Sequence, residues 1–197
     1  MSALLSRLER LYAESHAQVP PAIWHDPRLT DDRPLTPASV LMAITDRATP
    51  GFLLLHRPSH MRSHPGQVAF PGGRRDPGED AITAALREAE EELGIDPNLV
   101  TVIGSSDIYR TGSGYEITPV LAMVPADIAI TPNPAEVAQW FEAPVGHVLT
   151  PENQVRKPFV SEGSTHHFIE IMWQHHRIWG VTAAIIAKLT QRLRWHG

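Results

Sequence analysis

The sequence predicts an α/β (α+β) sandwich. Three observations point to it: strand-length apolar runs alternate with helical patterns, most connections between them are short, and no internal repeat or low-complexity tract interrupts the order. With 197 residues, 42% of them hydrophobic, the chain can bury a sizeable core, and one domain over 1–197 is expected. Ser2 to about Ser15 reads as an amphipathic helix with Leu4, Leu5, Leu8, Leu11 and Tyr12 on one side. Gln18 to Pro37 carries five prolines and reads as a stiff irregular connection, so residues 1 to about 37 are expected to pack on the domain.

Ala38–Thr45 and Gly51–His56 are apolar and separated by a turn with Pro50, which predicts a buried hairpin. Val68–Phe70 reads as a short strand ended by Pro71, Gly72 and Gly73. A helix is predicted to start near Glu79 or Asp80, with acidic residues in its first turn, and to stop at Gly94. Leu99–Tyr109 and Ile117–Val124 read as strands, the second flanked by Pro119 and Pro125; Val137–Phe141 and His167–Trp173 also read as strands. Thr182–Leu193 reads as a helix with Ala183, Ile186, Leu189 and Leu193 on one side, and Trp140, Trp173 and Trp179 are expected in the core.

Composition narrows the chemistry. With no cysteine, disulfides, thiolate-bound zinc, iron–sulfur clusters and a thiolate nucleophile are excluded, so any metal is a hard one held by oxygen or imidazole. The first residues lack a signal-peptide pattern and no run is long enough to span a bilayer, so a cytoplasmic protein with no membrane partner is the default. A net charge of −5 argues against nucleic acid as a partner. From Arg47 to Arg75 there is no acidic residue, whereas Asp76 to Asp96 is acidic with Arg87 as its only cation. Such a junction suits a small polyanion on one side and metal ions on the other; the plainer alternative is solvated surface.

Within the acidic stretch, Ile82, Ala85, Leu86, Ala89 and Leu93 fall on one helical stripe, predicted to face the core. Glu88, Glu91 and Glu92 share a second face, and Glu90 does not. Their mutual repulsion, about 0.2–0.5 kcal/mol per exposed pair, turns to attraction once a divalent cation is bound, and Mg²⁺ or Mn²⁺ suits three carboxylates better than zinc. The pairs His166-His167 and His175-His176 are not expected to be ligands, because neighbours on a strand point to opposite faces.

Gly73, five residues, Glu79, seven residues, then Arg87-Glu88-Ala89-Glu90-Glu91-Glu92-Leu93-Gly94-Ile95 resembles the Nudix box of hydrolases that cleave a nucleoside diphosphate linked to another moiety. Upstream, Leu53-Leu54, Arg57, Arg62, Gly66 and Phe70-Pro71-Gly72-Gly73 resemble the signature of coenzyme A diphosphatases, with Leu55 where that signature has threonine and Pro58 where it has Ser or Ala. The resemblance implies a Nudix-fold sandwich with a mixed β-sheet packed between helices. Glu88, Glu91, Glu92 and the Gly73 carbonyl would hold Mg²⁺ or Mn²⁺, and an activated water would attack phosphorus in line. Glu79 and Arg87 would brace the box. Arg57 and Arg62 would grip phosphate, with Gly72 and Gly73 letting the backbone come close. The general base stays open among the helix glutamates and later acids, with Glu136 carried as a candidate beside Glu152 and Glu162. The implied partner is a small-molecule nucleotide, coenzyme A or acyl-CoA, with a homodimer possible. The competing expectations are a diphosphatase for NADH, ADP-ribose or dinucleoside polyphosphates, and a Nudix module that binds a nucleotide without cleaving it.

Overall fold

The computed structural model describes residues 2–18, 26, 29, 34–59, 66–161 and 163–195. Arg62, Glu162 and most of the proline-rich connection therefore lie outside the described residues. Helix α1 (Ala3–His16) starts at Ser2, whose hydroxyl caps the Leu5 N–H. The strands β1 (Thr36–Thr45), β2 (Gly51–His56), β3 (Val68–Ala69) and β4 (Gly72–Arg74) follow, then helix α2 (Ala81–Leu93). After β5 (Thr101–Ser105), β6 (Tyr109–Arg110), β7 (Tyr115–Val124) and β8 (Gln139–Pro144) comes the short helix α3 (Val145–Val148). A hairpin layer of β9 (Val155–Ser161), β10 (Ser164–Trp173) and β11 (His176–Trp179) leads into α4 (Val181–Leu193).

Strand β1 organises the main sheet. It runs antiparallel to β2, with Ile44 opposite Phe52, and parallel to β7 over its whole length, so the sheet is mixed. The order is β3-β2-β1-β7-β5, with β4 added to β1, β6 to β7 and β8 to β2. Because side chains alternate along a strand, β1 feeds two cores. Leu41 and Ala43 face α2 with Leu53, Leu55, Ala85, Ala89 and Leu93. Met42 and Ile44 face α1 and α4 with Leu8, Phe52, Leu54, Ile186 and Leu189. A sheet with both faces covered needs apolar residues at successive positions, which is why β1 and β2 read as continuous apolar runs.

Several expectations need correction. The strand predicted over Leu99–Tyr109 is a 3₁₀ turn at Pro97–Leu99 followed by two strands. The first of these is bulged between Val102 and Gly104, where the Tyr12 ring of α1 fills the space that a Cβ on Gly104 would occupy. The break between β5 and β6 lies opposite Pro119, whose carbonyl accepts from the Ser106 N–H at 2.8 Å and which has no N–H to return. Pro119 is thus inside β7, not at its edge. Strands β4, β9 and β11 form where the sequence pattern predicts none. In β8, Phe141 points inward while Trp140 is 36% exposed, so Trp140 is not a core residue.

The two sheets meet through imidazoles. His176 is buried with its ring stacked 3.6 Å from that of Phe141, and its Nδ1 lies 2.8 Å from His56 Nε2. Among the described residues no helix is long and apolar enough to cross a membrane.

Candidate active site

The loop and helix that carry the acidic cluster are fixed locally by capping. Asp80 accepts from the Ile82 and Thr83 N–H groups at the start of α2, and Gly94 ends it at φ 67°, a left-handed conformation that glycine adopts without strain. No acidic residue sits in the first turn itself; the carboxylate there is the cap. The carbonyls at the other end of α2 are taken up by the segment after β7, Thr131 N–H on Leu93 and Asn133 N–H on Glu92.

Arg87 is the hub of the polar side. Its Nε and Nη2 pair with the two Glu79 oxygens at 2.9 and 3.0 Å, its Nη1 reaches Glu88 and Glu91 at 3.0 Å, and Nη2 also donates to the Arg74 carbonyl. This arrangement ties the loop to the helix. The Arg87 guanidinium holds the Glu79 carboxyl below its ordinary range.

The glutamates that share a face in sequence separate in burial. Glu91 is exposed, Glu88 is half-buried and Glu92 is 3% exposed, while Ile82 at the head of the apolar stripe is 37% exposed. The reason is β4. A Cβ at Gly72 would strike the Ser39 carbonyl and Val40, so glycine there lets this strand lie against β1, and one at Gly73 would strike the Glu88 carboxylate, which would have to swing aside. Glu92 Oε2 accepts from the Gly72 N–H at 2.9 Å. Burial pushes the Glu92 carboxyl up to about 8, with the Gly72 N–H pulling back and the charges of Glu88 and Glu136 adding to the rise. Burial also raises Glu88, against the pull of Arg87.

Glu136 comes to this place through the segment that caps α2. Its carboxylate acts on both Glu88 and Glu92, and it has no hydrogen-bond partner among the described residues. A hard cation fits this donor set: the groups are all oxygens, two are carboxyls disfavoured as bare anions by burial, and the Gly73 backbone lies against one of them. Glu88 and Glu91 are drawn to Arg87, and among the described residues no three acidic or imidazole side chains stand as a finished cage.

On the other flank of β4 is a cleft of about 300 Å³ between the sheet and the first turn of α4. Val40, Val68, Phe70, Ile117, Val181 and Ile185 give it apolar walls, and Arg57, Arg74, Thr111 and Tyr115 give it polar ones. Phe70 supports it from the core, edge-on to Phe52 at 5.6 Å. Arg57 Nε is buried without a hydrogen-bond partner among the described residues. Tyr115 and Thr111 gave no functional signal in the sequence, and only the pairing of β7 with β1 brings Tyr115 to the glycine strand. Arg47, counted with the basic stretch, is instead a surface partner of Glu142 at 3.0 Å.

Known proteins are similar to this chain. Residues 35–162 match the NUDIX domain family. A protein described as "Uncharacterized Nudix hydrolase NudL" from Yersinia pestis (strain Pestoides F) is 41% identical over 157 residues, 79% of each chain. Its counterpart in Yersinia pseudotuberculosis serotype O:1b (strain IP 31758) gives the same figures. Among solved structures, the C. elegans Ap4A hydrolase binary complex is 25% identical, covering 57% of this chain and 82% of that one, with a TM-score of 0.48. A MutT/nudix family protein from Enterococcus faecalis is 14% identical, covering 98% of this chain and 75% of that one, with a TM-score of 0.49. Members of the matched family act with divalent metal ions on nucleotide-derived small molecules. The domain match and the shared identity with the Yersinia proteins make this chain a member of the Nudix hydrolase family.

Proposed function

We propose that this Nudix hydrolase cleaves the diphosphate of coenzyme A or acyl-CoA, giving adenosine 3′,5′-bisphosphate and 4′-phosphopantetheine or its acylated form. The observation that carries this reading is the position of β4, with buried box carboxylates on one flank and a mostly apolar cleft bearing an unsatisfied Arg57 donor on the other. A substrate that joins a diphosphate to a long, weakly polar arm suits both flanks at once.

Glu88, Glu91, Glu92 and the Gly73 carbonyl would hold Mg²⁺ or Mn²⁺, which when bound neutralises charge building on the diphosphate. To do so Glu88 and Glu91 give up Nη1 of Arg87, whose two-point pairing with Glu79 keeps the loop on the helix. Arg57, and Arg62 by the signature alone, grip the phosphates. Glu136 takes the proton of the attacking water, because its charge acts on the box carboxylates Glu88 and Glu92 and its own oxygens are unengaged among the described residues.

The test is mass spectrometry of products after incubation with coenzyme A and Mg²⁺ or Mn²⁺, against an EDTA control and a panel of NADH, ADP-ribose and diadenosine polyphosphates. Metal-dependent 4′-phosphopantetheine is the expected product. Cleavage of another panel member alone would refute the substrate, and cleavage of none would refute the enzyme reading in favour of a binding module.

A further inference from the structure

Arg47, Arg87, Arg110, Arg177 and Arg192 each hold a carboxylate. Arg57 and Arg74 hold none among the described residues, and both line the same cleft. A guanidinium keeps its charge at any physiological pH, so two of them facing one partly apolar cleft call for an anionic ligand.

They enter the cleft from different strands. Arg57 follows β2, and its charge reaches Glu92. Arg74 lies beside Ala38 of β1 and crosses that small residue to Tyr115 of β7. There its Nη2 and Nε donate to the Tyr115 hydroxyl at 2.8 and 3.2 Å, and the guanidinium carbon lies 5.5 Å from the ring centroid. The hydroxyl fixes the plane of the guanidinium and leaves its outer N–H groups at the cleft rim. Thr111 and Ser113, their hydroxyls 3.0 Å apart, line the same side.

We propose that Arg74, positioned by Tyr115, is a subsite for a phosphomonoester on the substrate's ribose, separate from the diphosphate that Arg57 faces. This rests on the diphosphatase reading and deepens it: the site would select nucleotides carrying a third phosphate. The shared chemistry is a ribose phosphate at the 3′ position, as in coenzyme A, or at the 2′ position, as in phosphorylated nicotinamide dinucleotides.

The experiment is calorimetric titration of the full chain with adenosine 3′,5′-bisphosphate, adenosine 2′,5′-bisphosphate and AMP, for the wild type, Arg74→Gln and Tyr115→Phe. The wild type is expected to bind the 3′,5′-bisphosphate about tenfold or more tightly than AMP, as a charge-assisted contact supplies. Arg74→Gln should remove that ratio, and Tyr115→Phe, which keeps the ring, should reduce it. A ratio equal in wild type and Arg74→Gln, or no preference in the wild type, overturns the subsite even if coenzyme A is hydrolysed. An Arg74-dependent preference for the 2′,5′ isomer supports the subsite and overturns coenzyme A as the substrate.

Discussion

Glu92 is the residue at which folding and chemistry pull in opposite directions. It is 3% exposed, and the hydrogen bond it accepts from the Gly72 N–H does not offset the burial that lifts its carboxyl to about 8. A neutral isostere therefore suits the folded chain as well as the acid does. Glu92→Gln is expected to leave the melting temperature unchanged or slightly higher, to cut turnover by about 10³-fold, and to raise the metal concentration for half-activation. An active Glu92→Gln protein with ordinary metal dependence would contradict the assignment. Glu136 differs because it stands outside the helix with its carboxylate unengaged among the described residues. Glu136→Gln should lose about 10²–10⁴-fold in kcat and the acidic limb of the pH–rate profile while half-activation by metal stays near wild type. A shift in metal demand like that of Glu92→Gln would make Glu136 a ligand instead.

At the scale of elements, the close approach of β4 and α2 sets the site, and it depends on two missing side chains. Gly73→Ala would push against the Glu88 carboxylate, with the strand held from behind by β1. The expected outcome is a folded protein that loses metal-dependent activity by about tenfold or more, measured against its circular dichroism spectrum; full activity would mean that Glu88 is free to move aside. The sequence made α2 legible because its caps, its apolar stripe and its glycine stop are local. Strands β1 and β2 were equally legible as paired apolar runs. What stayed hidden was non-local. The bulge at Gly104 goes with Tyr12, more than ninety positions earlier, filling the space over that glycine, and the break between β5 and β6 lies opposite Pro119 of β7. Burial of Glu92 depends on β4, a three-residue strand of glycines and arginine with no apolar pattern to announce it. The Arg74–Tyr115 pair spans forty-one positions and needs β1 between its members. Strand β11, four residues with Arg177 exposed between buried His176 and Ile178, is too short for alternation to stand out.

For the whole molecule these buried and paired groups give stability an opposed pH dependence. Acid weakens the fold where the native state binds fewer protons than the unfolded chain. Glu79 and Asp107 are held below their ordinary range and must be protonated, and His176, lowered by burial and by its imidazole neighbours, must be charged as pH falls below 6.5. Glu92 acts in the other direction. Its carboxyl is raised from 4.5 to about 8, so its contribution is complete below pH 4.5 and is lost as pH climbs through about 8, because the unfolded chain releases that proton first. In EDTA the protein should therefore melt highest in mild acid and fall, by on the order of 5 °C or more, between about pH 6 and pH 8.5. At the proposed metal site a divalent cation would bind the ionised form and replace the proton, so adding millimolar Mg²⁺ or Mn²⁺ should raise the melting temperature far more at pH 8.5 than at pH 5. Scanning calorimetry of the wild type and Glu92→Gln with and without metal checks this directly. The variant should lose both the alkaline decline and most of the metal response, and a metal response that survives intact in the variant at pH 8.5 would place the cation somewhere other than the box.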